Sequence, residues 1–335
     1  MRDQDDSDRL LDAVAGACAR GESLSLLGSG SKNRRFPLLH CVGGSALSTV
    51  EHSGVLYYAP DELVLEARSG TLGGAIAAGL AGPARPWAGA PRDAVLGVEL
   101  INGRAERLRF GGRVVKNVAG YDLARLQAGA FGTLGCLLSV AVRVMPAPAT
   151  ELTLEAPLDE DEALRLLAAW HHASLPVTAS CWIDGELSVR LAGPAPAVEQ
   201  AAQRITTDAS ARTRQAGGDW DGLRDHDHPF FTDAPGERRL YRCSLPFGVA
   251  PFRIDAPLLS EWRGAQRWYW LQEGQESALA ESCRASGGWL APADSIALTP
   301  VDSTAALLQQ RLREAFDPKG CFNAHLLTPE ASHAH

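Results

Sequence analysis

A chain of 335 residues is long enough for two domains, each with a hydrophobic core of its own. Its 45% apolar and 21% charged residues are ordinary for a soluble globular protein, and its net charge of −8 argues against nucleic acid as a partner. No apolar run is long enough to cross a bilayer, and the acidic first eight residues predict no secretory signal, which favours a cytoplasmic location.

The first half opens with a predicted helix and a predicted strand. Ser7 can cap the helix, in which apolar residues recur at helical spacing until Gly21 ends it. Ser23 to Leu27 predict the strand, which leads into the glycine-rich loop Gly28-Ser-Gly-Ser-Lys32. Consecutive backbone N–H groups in such a loop can form a concave anion site, and the lysine adds positive charge.

Four interpretations of this loop compete. The Walker A spacing is absent, and a Rossmann fingerprint fails because Asn33 stands where the third glycine belongs. Taken alone, the five residues fit an ordinary turn better than a binding site. The fourth interpretation, a pyrophosphate loop, depends on the family context given below.

Two further patterns follow in the first half. Leu63 to Ala67 predict a strand, and the small residues from Gly73 to Gly79 predict the opening of a helix. The N-terminal amides of that helix could face a phosphate; a helix packed closely through alanine and glycine is the alternative, and both can hold together. Val95 to Leu100 and Glu106 to Phe110 predict a hairpin around Asn102-Gly103.

The stretch from Arg113 to Cys136 reads RVVKNVAGYDLARLQAGAFGTLGC. It contains a short helix-like run, Asp122 to Gln127, and leads into a long apolar strand, Leu137 to Val144. Six glycines from Gly111 to Gly135 are more than a helix or strand tolerates comfortably. They predict positive φ, or a close approach of the backbone to another group.

Pro146 to Thr150 is a predicted linker. After it the pattern predicts strand, helix, strand, strand and helix, with a hairpin at Asp184-Gly185. This order favours a ferredoxin-like layer with helices on one face of an antiparallel sheet. Further strands and helices are predicted near 240–245, 267–271, 276–284 and 303–316. No internal repeat is evident.

The seven cysteines are scattered, odd in number and never spaced as CxxC. This pattern predicts reduced thiols and argues against an iron–sulfur cluster or structural zinc held by this chain alone. The run Asp225-His-Asp-His-Pro229 has HxH spacing but lacks a third ligand, so we predict a solvated loop and no metal site. Core packing or a subunit interface is predicted for four aromatic residues, Trp262, Trp268, Tyr269 and Trp270.

The run Lys116-Asn-Val-Ala-Gly-Tyr-Asp-Leu-Ala-Arg-Leu126 and the glycines that follow it from Gly129 to Gly135 resemble the E-type, flavin-binding subunits of bacterial glycolate oxidase. The resemblance extends from Ser25 to about Leu327. It implies an α+β protein in which a PCMH-type FAD-binding domain of the vanillyl-alcohol-oxidase family, residues 1–148, precedes a ferredoxin-like, cap-like α+β domain, residues 149–330.

The resemblance also implies FAD as the cofactor, bound by three glycine-rich segments. The loop at 28–32 carries no histidine, the usual attachment residue in relatives that bind FAD covalently near it, so noncovalent binding is predicted. The implied cofactor-binding residues are Gly28, Ser29, Gly30, Ser31, Lys32, Gly73, Gly74, Gly79, Lys116, Asn117, Gly120, Tyr121, Asp122, Gly129, Gly132, Thr133 and Gly135.

As a function, the resemblance implies a subunit that oxidises glycolate, a small 2-hydroxy acid, within a complex containing a second FAD-containing subunit and an iron–sulfur subunit. Any contact with the inner membrane would then be peripheral and through these partners. No catalytic residue is identifiable. Two alternatives stay open: a free-standing FAD-dependent oxidoreductase for another 2-hydroxy acid, and a non-catalytic assembly subunit that has lost FAD.

Two departures from the family pattern carry expectations. Relatives have a helix and a proline-containing loop that this chain lacks between Thr71 and Gly73, so Ser69 to Leu72 should form the connection alone. Without this covering element, bound FAD is expected to be more exposed and held less tightly. Asp317 to Asn323 resembles a C-terminal phrase of the family, but Ala324-His325 replaces the Pro-Gly that follows in many relatives, which predicts an altered loop.

Overall fold

The structure, a computed structural model, describes residues 3–30, 44–114, 121–210, 212–294 and 303–327. The chain divides into two compact units. The first contains the described parts of 1–80, 90–146 and 295–335, and the second contains those of 81–89 and 147–294. One break therefore lies close to the predicted linker. A simple division at residue 148 would nevertheless place two segments in the wrong unit: residues 81–89 belong to the second unit, and the described part of 295–335 belongs to the first. The functional domains 1–148 and 149–330 stay a prediction.

The described helices and strands follow the predicted order closely. The helices are α1 (Ser7–Arg20), α2 (Ser69–Ala78), α3 (Arg85–Ala88), α4 (Pro91–Ala94), α5 (Glu160–His172), α6 (Ala195–Asp208), α7 (Trp220–Asp225), α8 (Pro229–Thr232), α9 (Gln275–Ala285) and α10 (Ser303–Phe316). The strands are β1 (Leu24–Leu27), β2 (Ser45–Ser48), β3 (Val55–Ala59), β4 (Val64–Arg68), β5 (Val95–Ile101), β6 (Arg107–Gly111), β7 (Cys136–Arg143), β8 (Thr150–Pro157), β9 (Val177–Ile183), β10 (Glu186–Gly193), β11 (Arg214–Ala216), β12 (Arg239–Ser244), β13 (Leu258–Glu261), β14 (Gln266–Leu271) and β15 (Trp289–Pro292).

The first unit is built on a five-stranded antiparallel sheet in the order β3-β4-β7-β5-β6. Strands β1 and β2 form a separate parallel pair. The predicted β5–β6 hairpin is confirmed, and the Asn102 Oδ1 atom closes its turn by accepting the N–H groups of Arg104 and Glu106, each at 2.9 Å. The predicted helix at Asp122 to Gln127 shortens to a single 3-10 turn, Arg125–Gln127.

Helix α1 packs its apolar stripe into one of the cores of this unit. Leu10 and Val14 are fully buried, with Phe322 and Cys136 in the same cluster. Gly21 ends the helix with φ +68°, a left-handed conformation that glycine adopts without strain. The second core lies between α2 and the sheet and also contains Phe316 of α10.

His52 fixes the turn between β2 and β3, and α2 begins beside this turn. Its Nδ1 atom accepts the Asp6 N–H at 3.0 Å, and its Nε2 atom lies 3.0 Å from the Leu138 carbonyl oxygen. Burial lowers the pKa of His52, so the neutral ring is favoured, with the proton on Nε2. The ring thus ties the N-terminal segment to the middle of β7.

The second unit contains an eight-stranded antiparallel sheet in the order β11-β8-β10-β9-β13-β14-β12-β15. Its first half, β8-α5-β9-β10-α6-β11, has the spatial order of a ferredoxin-like β-α-β-β-α-β unit. In the second half, β12, β13, β14, α9 and β15 repeat this order, with residues 245–257 in place of the first helix. The two halves join where β9 pairs with β13. The ferredoxin-like prediction is confirmed, whereas the repeat is not evident from the residue pattern.

The two faces of this sheet differ. Helices α5, α6 and α9 cover one face in a large core that includes Trp170, Leu187 and Tyr269. The opposite face holds a smaller cluster around Trp268 and Leu259, to which the α7–α8 segment adds Leu223. The predicted core packing of the aromatic residues is confirmed for Trp268, Tyr269 and Trp270, which are at most 8% exposed.

The cysteines are mostly buried thiols. Cys243 of β12 and Cys283 of α9 are joined in a disulfide, so the prediction of reduced thiols is wrong for this pair. The other described cysteines, Cys18, Cys136, Cys181 and Cys321, are free and buried. In the part of the chain that the structure describes, none of the helices combines the length and apolar character that a bilayer crossing requires.

Candidate cofactor-binding site

A groove in the first unit brings together parts of all three glycine-rich segments. It encloses about 430 Å³ of space, counting the part that is open to solvent. The end of β1, one side of α2 and the turn before β7 form its walls. Its lining residues are Leu26, Leu27, Gly28, Thr49, Ser69, Gly73, Gly74, Ala77, Phe131, Gly132, Gly135, Cys136 and Leu137.

Five of the predicted cofactor-binding residues line this groove: Gly28, Gly73, Gly74, Gly132 and Gly135. Ser29 and Gly30 follow directly after Gly28 and are exposed. The predicted residues Ser31, Lys32, Lys116, Asn117 and Gly120 lie outside the described residues. Each of the three segments therefore contributes at least one residue to this groove, while the binding of a cofactor by them stays a prediction.

Helix α2 begins earlier than the sequence predicted. β4 ends at Arg68 and α2 starts at Ser69, so Ser69 to Leu72 form the first turn of a helix and not a connecting loop. Gly73 and Gly74 then lie in the second turn, where backbone N–H groups bond to carbonyls within the helix. The predicted role of their amides at a helix N-terminus is therefore wrong. The two glycines instead form a part of the groove wall that carries no side chains.

The absence of side chains on this wall leaves room for a ligand. A Cβ atom on Gly74 or on Gly28 would meet no heavy atom of the described residues within 4 Å. Ser69, in the first turn of α2, is only 4% exposed, and its Oγ atom has no hydrogen-bond partner among the described residues. This hydroxyl could donate to a polar group of a ligand in the groove. These features fit the phosphate or ribitol part of a dinucleotide.

The start of α2 is fixed by Gly70. Its N–H donates to the His52 carbonyl oxygen at 2.8 Å. A Cβ atom at this position would lie 2.6 Å from the Thr49 carbonyl oxygen and 2.7 Å from those of Val50 and His52. Only glycine lets the helix begin so close to the turn after β2.

The other predicted glycines have mainly conformational roles. Gly79 ends α2 with φ +62°, and its N–H donates to Ala75 and Ile76. A Cβ atom on it would lie 2.8 Å from the Gly129 nitrogen. Gly132 and Gly129 have φ of +71° and +83°, which confirms the prediction of positive φ in this stretch. The Thr133 hydroxyl donates to the Ala130 carbonyl oxygen at 2.7 Å and stabilises the same turn.

Two predicted residues lie away from the groove lining. Tyr121 is 92% exposed. Asp122 is also exposed and forms an ion pair with Arg125 at 3.2 Å. Tyr121 follows directly after residues outside the described part, and the place of both residues in cofactor binding stays a prediction.

The C-terminal phrase holds two walls of the groove together. Asn323 accepts the Leu26 N–H through Oδ1 at 2.9 Å and donates through Nδ2 to the Phe131 carbonyl oxygen at 2.6 Å. The Asp317 carboxylate accepts the N–H groups of Cys321 and Phe322, both at 2.8 Å, and so shapes the loop that presents Asn323. After it, residues Ala324–Leu327 form a 3-10 turn, and the predicted difference of this loop from the family pattern stays a prediction.

Sequence reasoning missed several groove residues. Thr49 and Phe131 carry no motif, and Ser69 was assigned to a loop. Cys136 lies at the start of β7, and burial raises the pKa of its thiol to about 12, which keeps it a neutral thiol at physiological pH.

The histidines of the Asp225–Pro229 run have structural roles. The His226 ring stacks on Phe231 at 4.0 Å between ring centroids, and the His228 Nδ1 atom accepts the Phe230 N–H at 3.1 Å as a helix cap. Among the described residues, no three His, Cys, Asp or Glu side chains form a group that could hold a metal ion.

Comparison with solved structures shows the fold. The chain aligns with an alkyldihydroxyacetonephosphate synthase at a TM-score of 0.66 over 96% of this chain and 76% of that one, with 12% sequence identity. The predicted α+β, PCMH-type fold is thereby confirmed. A scan against family models finds no match.

Comparison with curated proteins shows the family. Glycolate oxidase subunit GlcD of Bacillus subtilis is 37% identical over 117 residues, which cover 35% of this chain and 24% of GlcD. D-2-hydroxyglutarate dehydrogenase of Stutzerimonas stutzeri is 31% identical over 147 residues, which cover 42% of this chain and 31% of the enzyme.

The likeness to glycolate oxidase subunit GlcE of Escherichia coli K12 extends over nearly the whole of both chains, with 34% identity over 353 aligned positions, 96% of this chain and 97% of GlcE. These positions outnumber the 335 residues of the chain, so some of them have no residue here, and the place of the missing segment stays a prediction. The chain belongs to the family of glycolate oxidase GlcE subunits.

Proposed function

We propose that this protein is the FAD-binding subunit of a multi-subunit glycolate oxidase, a dehydrogenase in practice, which oxidises glycolate to glyoxylate and passes the electrons to partner subunits. The observation that carries the proposal is the full-length likeness to GlcE, on a chain whose glycine-rich segments converge on one groove. The proposed location is cytoplasmic, with contact to the inner membrane only through the partners.

The groove residues are proposed to hold FAD by shape and by a few polar groups. Gly28, Gly73 and Gly74 would let the cofactor approach the backbone, and the Ser69 hydroxyl would donate to it. Bound FAD would supply a two-electron acceptor for the oxidation of a 2-hydroxy acid. Ser31, Lys32, Lys116, Asn117 and Gly120 are proposed to complete the binding site.

Noncovalent attachment is part of the proposal. Cys136 is the strongest potential nucleophile among the described lining residues, and burial raises its pKa to about 12, which suppresses the reactive thiolate. His52 lies in the same unit, but both of its ring nitrogens are already engaged. Acid precipitation is therefore expected to release any flavin from the protein.

The proposed partners are a second FAD-containing subunit and an iron–sulfur subunit, and the substrate is a small 2-hydroxy acid. The partial likeness to GlcD supports a multi-subunit assembly. An electron relay in the partner fits a chain whose described residues group no three metal-binding side chains. A second candidate, a free-standing oxidoreductase for another 2-hydroxy acid, is favoured only by the partial identity to D-2-hydroxyglutarate dehydrogenase.

Dye-linked glycolate oxidation tests the proposal. The chain is expressed alone, the two partner subunits are expressed together, and all three are co-expressed. Activity is expected only from the three-subunit preparation. The isolated chain lacks the partners that would accept its electrons, and the two-partner preparation lacks this subunit. Full activity from the isolated chain would favour the free-standing enzyme. Full activity from the two partners alone would reduce this chain to a dispensable assembly factor.

A further inference from the structure

Two buried cysteines of the first unit face each other. Cys18 lies in the last turn of α1, and Cys321 lies in the loop that follows α10. Their sulfur atoms are 3.2 Å apart, and the Gly103 carbonyl oxygen lies 3.2 Å from the Cys18 sulfur and 4.0 Å from the Cys321 sulfur. Because a disulfide requires about 2 Å between its sulfur atoms, a shift of about 1 Å would bring the pair to bonding distance.

This pair differs from the other buried thiols. Among the described free cysteines, only Cys18 and Cys321 have their sulfur atoms within hydrogen-bond distance of each other. Burial raises the pKa of Cys321 to about 12, and the nearby Cys18 thiol and Asp317 carboxylate act in the same direction, so Cys321 rests as a neutral thiol. Cys18 is 7% exposed and Cys321 only 1%, so a small oxidant would reach Cys18 first.

The pair lies on both sides of the strand that leads into the groove. The Cys321 carbonyl oxygen accepts the Leu24 N–H of β1 at 2.6 Å, and the Asn323 N–H donates to the Leu24 carbonyl oxygen at 2.9 Å. On the other side, α1 ends just before β1, and the Lys319 ammonium group donates to the Cys18 carbonyl oxygen at 3.1 Å. A bond between Cys18 and Cys321 would therefore fasten β1, whose end contributes to the groove wall, between α1 and the C-terminal loop.

We propose that Cys18 and Cys321 form a redox switch, in which a hydroperoxide converts the two thiols into a disulfide that stabilises the first unit. The Cys18 sulfur attacks the hydroperoxide, so that an S–O bond forms and the O–O bond breaks with loss of an alcohol, or of water from hydrogen peroxide. The Cys321 sulfur then displaces the hydroxyl group from Cys18, which leaves as water. The two thiols lose two electrons and two protons in total, and the hydroperoxide takes up both.

Peroxide treatment of the purified full chain tests the switch without any turnover. The chain is incubated with hydrogen peroxide, its remaining thiols are alkylated, and a digest is examined by mass spectrometry. We expect one peptide in which Cys18 is joined to Cys321, lighter by two hydrogen atoms than the two reduced peptides together. Dithiothreitol should separate the two peptides again.

Thermal melts followed by circular dichroism measure the effect on stability. The new bond would join residues with a sequence separation of 303, which restricts the unfolded chain. The oxidised wild type should therefore melt at least about 4 °C above the reduced wild type. If the chain binds FAD as proposed, the oxidised form should also lose it more slowly on dilution, because the groove wall at the end of β1 is held more firmly.

Cys18→Ser is the matched variant, because serine keeps a donor for the Gly103 carbonyl oxygen but cannot form the bond. It should show no rise in melting temperature on oxidation. The Cys243–Cys283 disulfide responds to the reductant in both proteins, so the difference between them reports the new bond. Cys181→Ala removes a free buried thiol of the second unit and should respond like the wild type.

The mapping on the wild type decides the chemistry even if Cys18→Ser fails to fold. The inference is overturned if peroxide leaves both thiols intact, if it oxidises Cys18 without joining it to Cys321, or if it joins a different pair of cysteines. A joined chain that melts like the reduced one would also overturn it. The effect on FAD rests on the proposed function, so a chain that forms the bond and gains stability but binds no FAD would refute that function alone.

Discussion

Gly70→Val should prevent stable folding of the first unit. The new Cβ atom would lie 2.6–2.7 Å from three backbone carbonyl oxygens, those of Thr49, Val50 and His52. These carbonyls cannot move aside easily, since the Thr49 N–H donates to the Leu27 carbonyl oxygen at 2.8 Å and both His52 ring nitrogens are engaged. We expect a loss of at least about 3 kcal/mol in the free energy of unfolding, the upper end for overpacked sites.

Gly74→Ala is the matched control for this change. Gly74 lies in the same helix, but a Cβ atom there meets nothing within 4 Å. Alanine in a helix interior is more favourable than glycine by about 1 kcal/mol, so this variant should be as stable as the wild type or more so. Urea unfolding followed by circular dichroism measures both. Equal midpoints for the two variants would show that the turn does not constrain the start of α2.

Asn323→Ala should loosen both walls of the groove. The variant would remove the hydrogen bonds to the Leu26 N–H and to the Phe131 carbonyl oxygen, each worth about 0.5–1.5 kcal/mol in the free energy of unfolding. Alanine is also strained at the φ of +44° that Asn323 adopts. The free energy of unfolding should therefore fall by several kcal/mol, the sum of the lost hydrogen bonds and the backbone strain. The flavin content of the purified chain should fall with it.

Two companion variants separate these causes. Asn323→Gly loses the same two hydrogen bonds but accepts positive φ, so the difference from alanine reports the backbone strain. Asn323→Asp keeps an acceptor for the Leu26 N–H but loses the donor to Phe131. If all three variants keep wild-type stability and flavin content, Asn323 does not join the groove walls.

Much of the fold could be predicted because the decisive signals are local. The apolar spacing from Leu10 to Cys18 predicts α1, and the turn residues Asn102-Gly103 and Asp184-Gly185 predict two observed hairpins. Positive φ at Gly129 and Gly132 also follows from glycine's conformational freedom. Each of these features is determined by residues that are close together in the sequence, so it can be predicted without knowing the fold.

The features that sequence reasoning missed depend on contacts between distant residues. The start of α2 at Ser69 is set by the approach of Gly70 to residues 49–52, and no local signal distinguishes Gly70 from Gly73. The repeat in the second unit is one of strand order, and residues 245–257 replace its first helix, so no sequence period marks it.

The central claim is that the groove in the first unit holds FAD without a covalent bond. It is tested most directly by titrating FAD into the wild-type chain and into Gly74→Leu, whose side chain would project into the groove without touching the protein at Cβ. We expect the purified wild type to hold less than one FAD per chain because of the missing segment, to take up more on addition, and to release it all on acid precipitation. Gly74→Leu should melt like the wild type and bind FAD at least about tenfold more weakly, roughly 1.4 kcal/mol. Unchanged FAD affinity in a folded Gly74→Leu chain, or flavin that stays with the acid-denatured protein, would contradict the account.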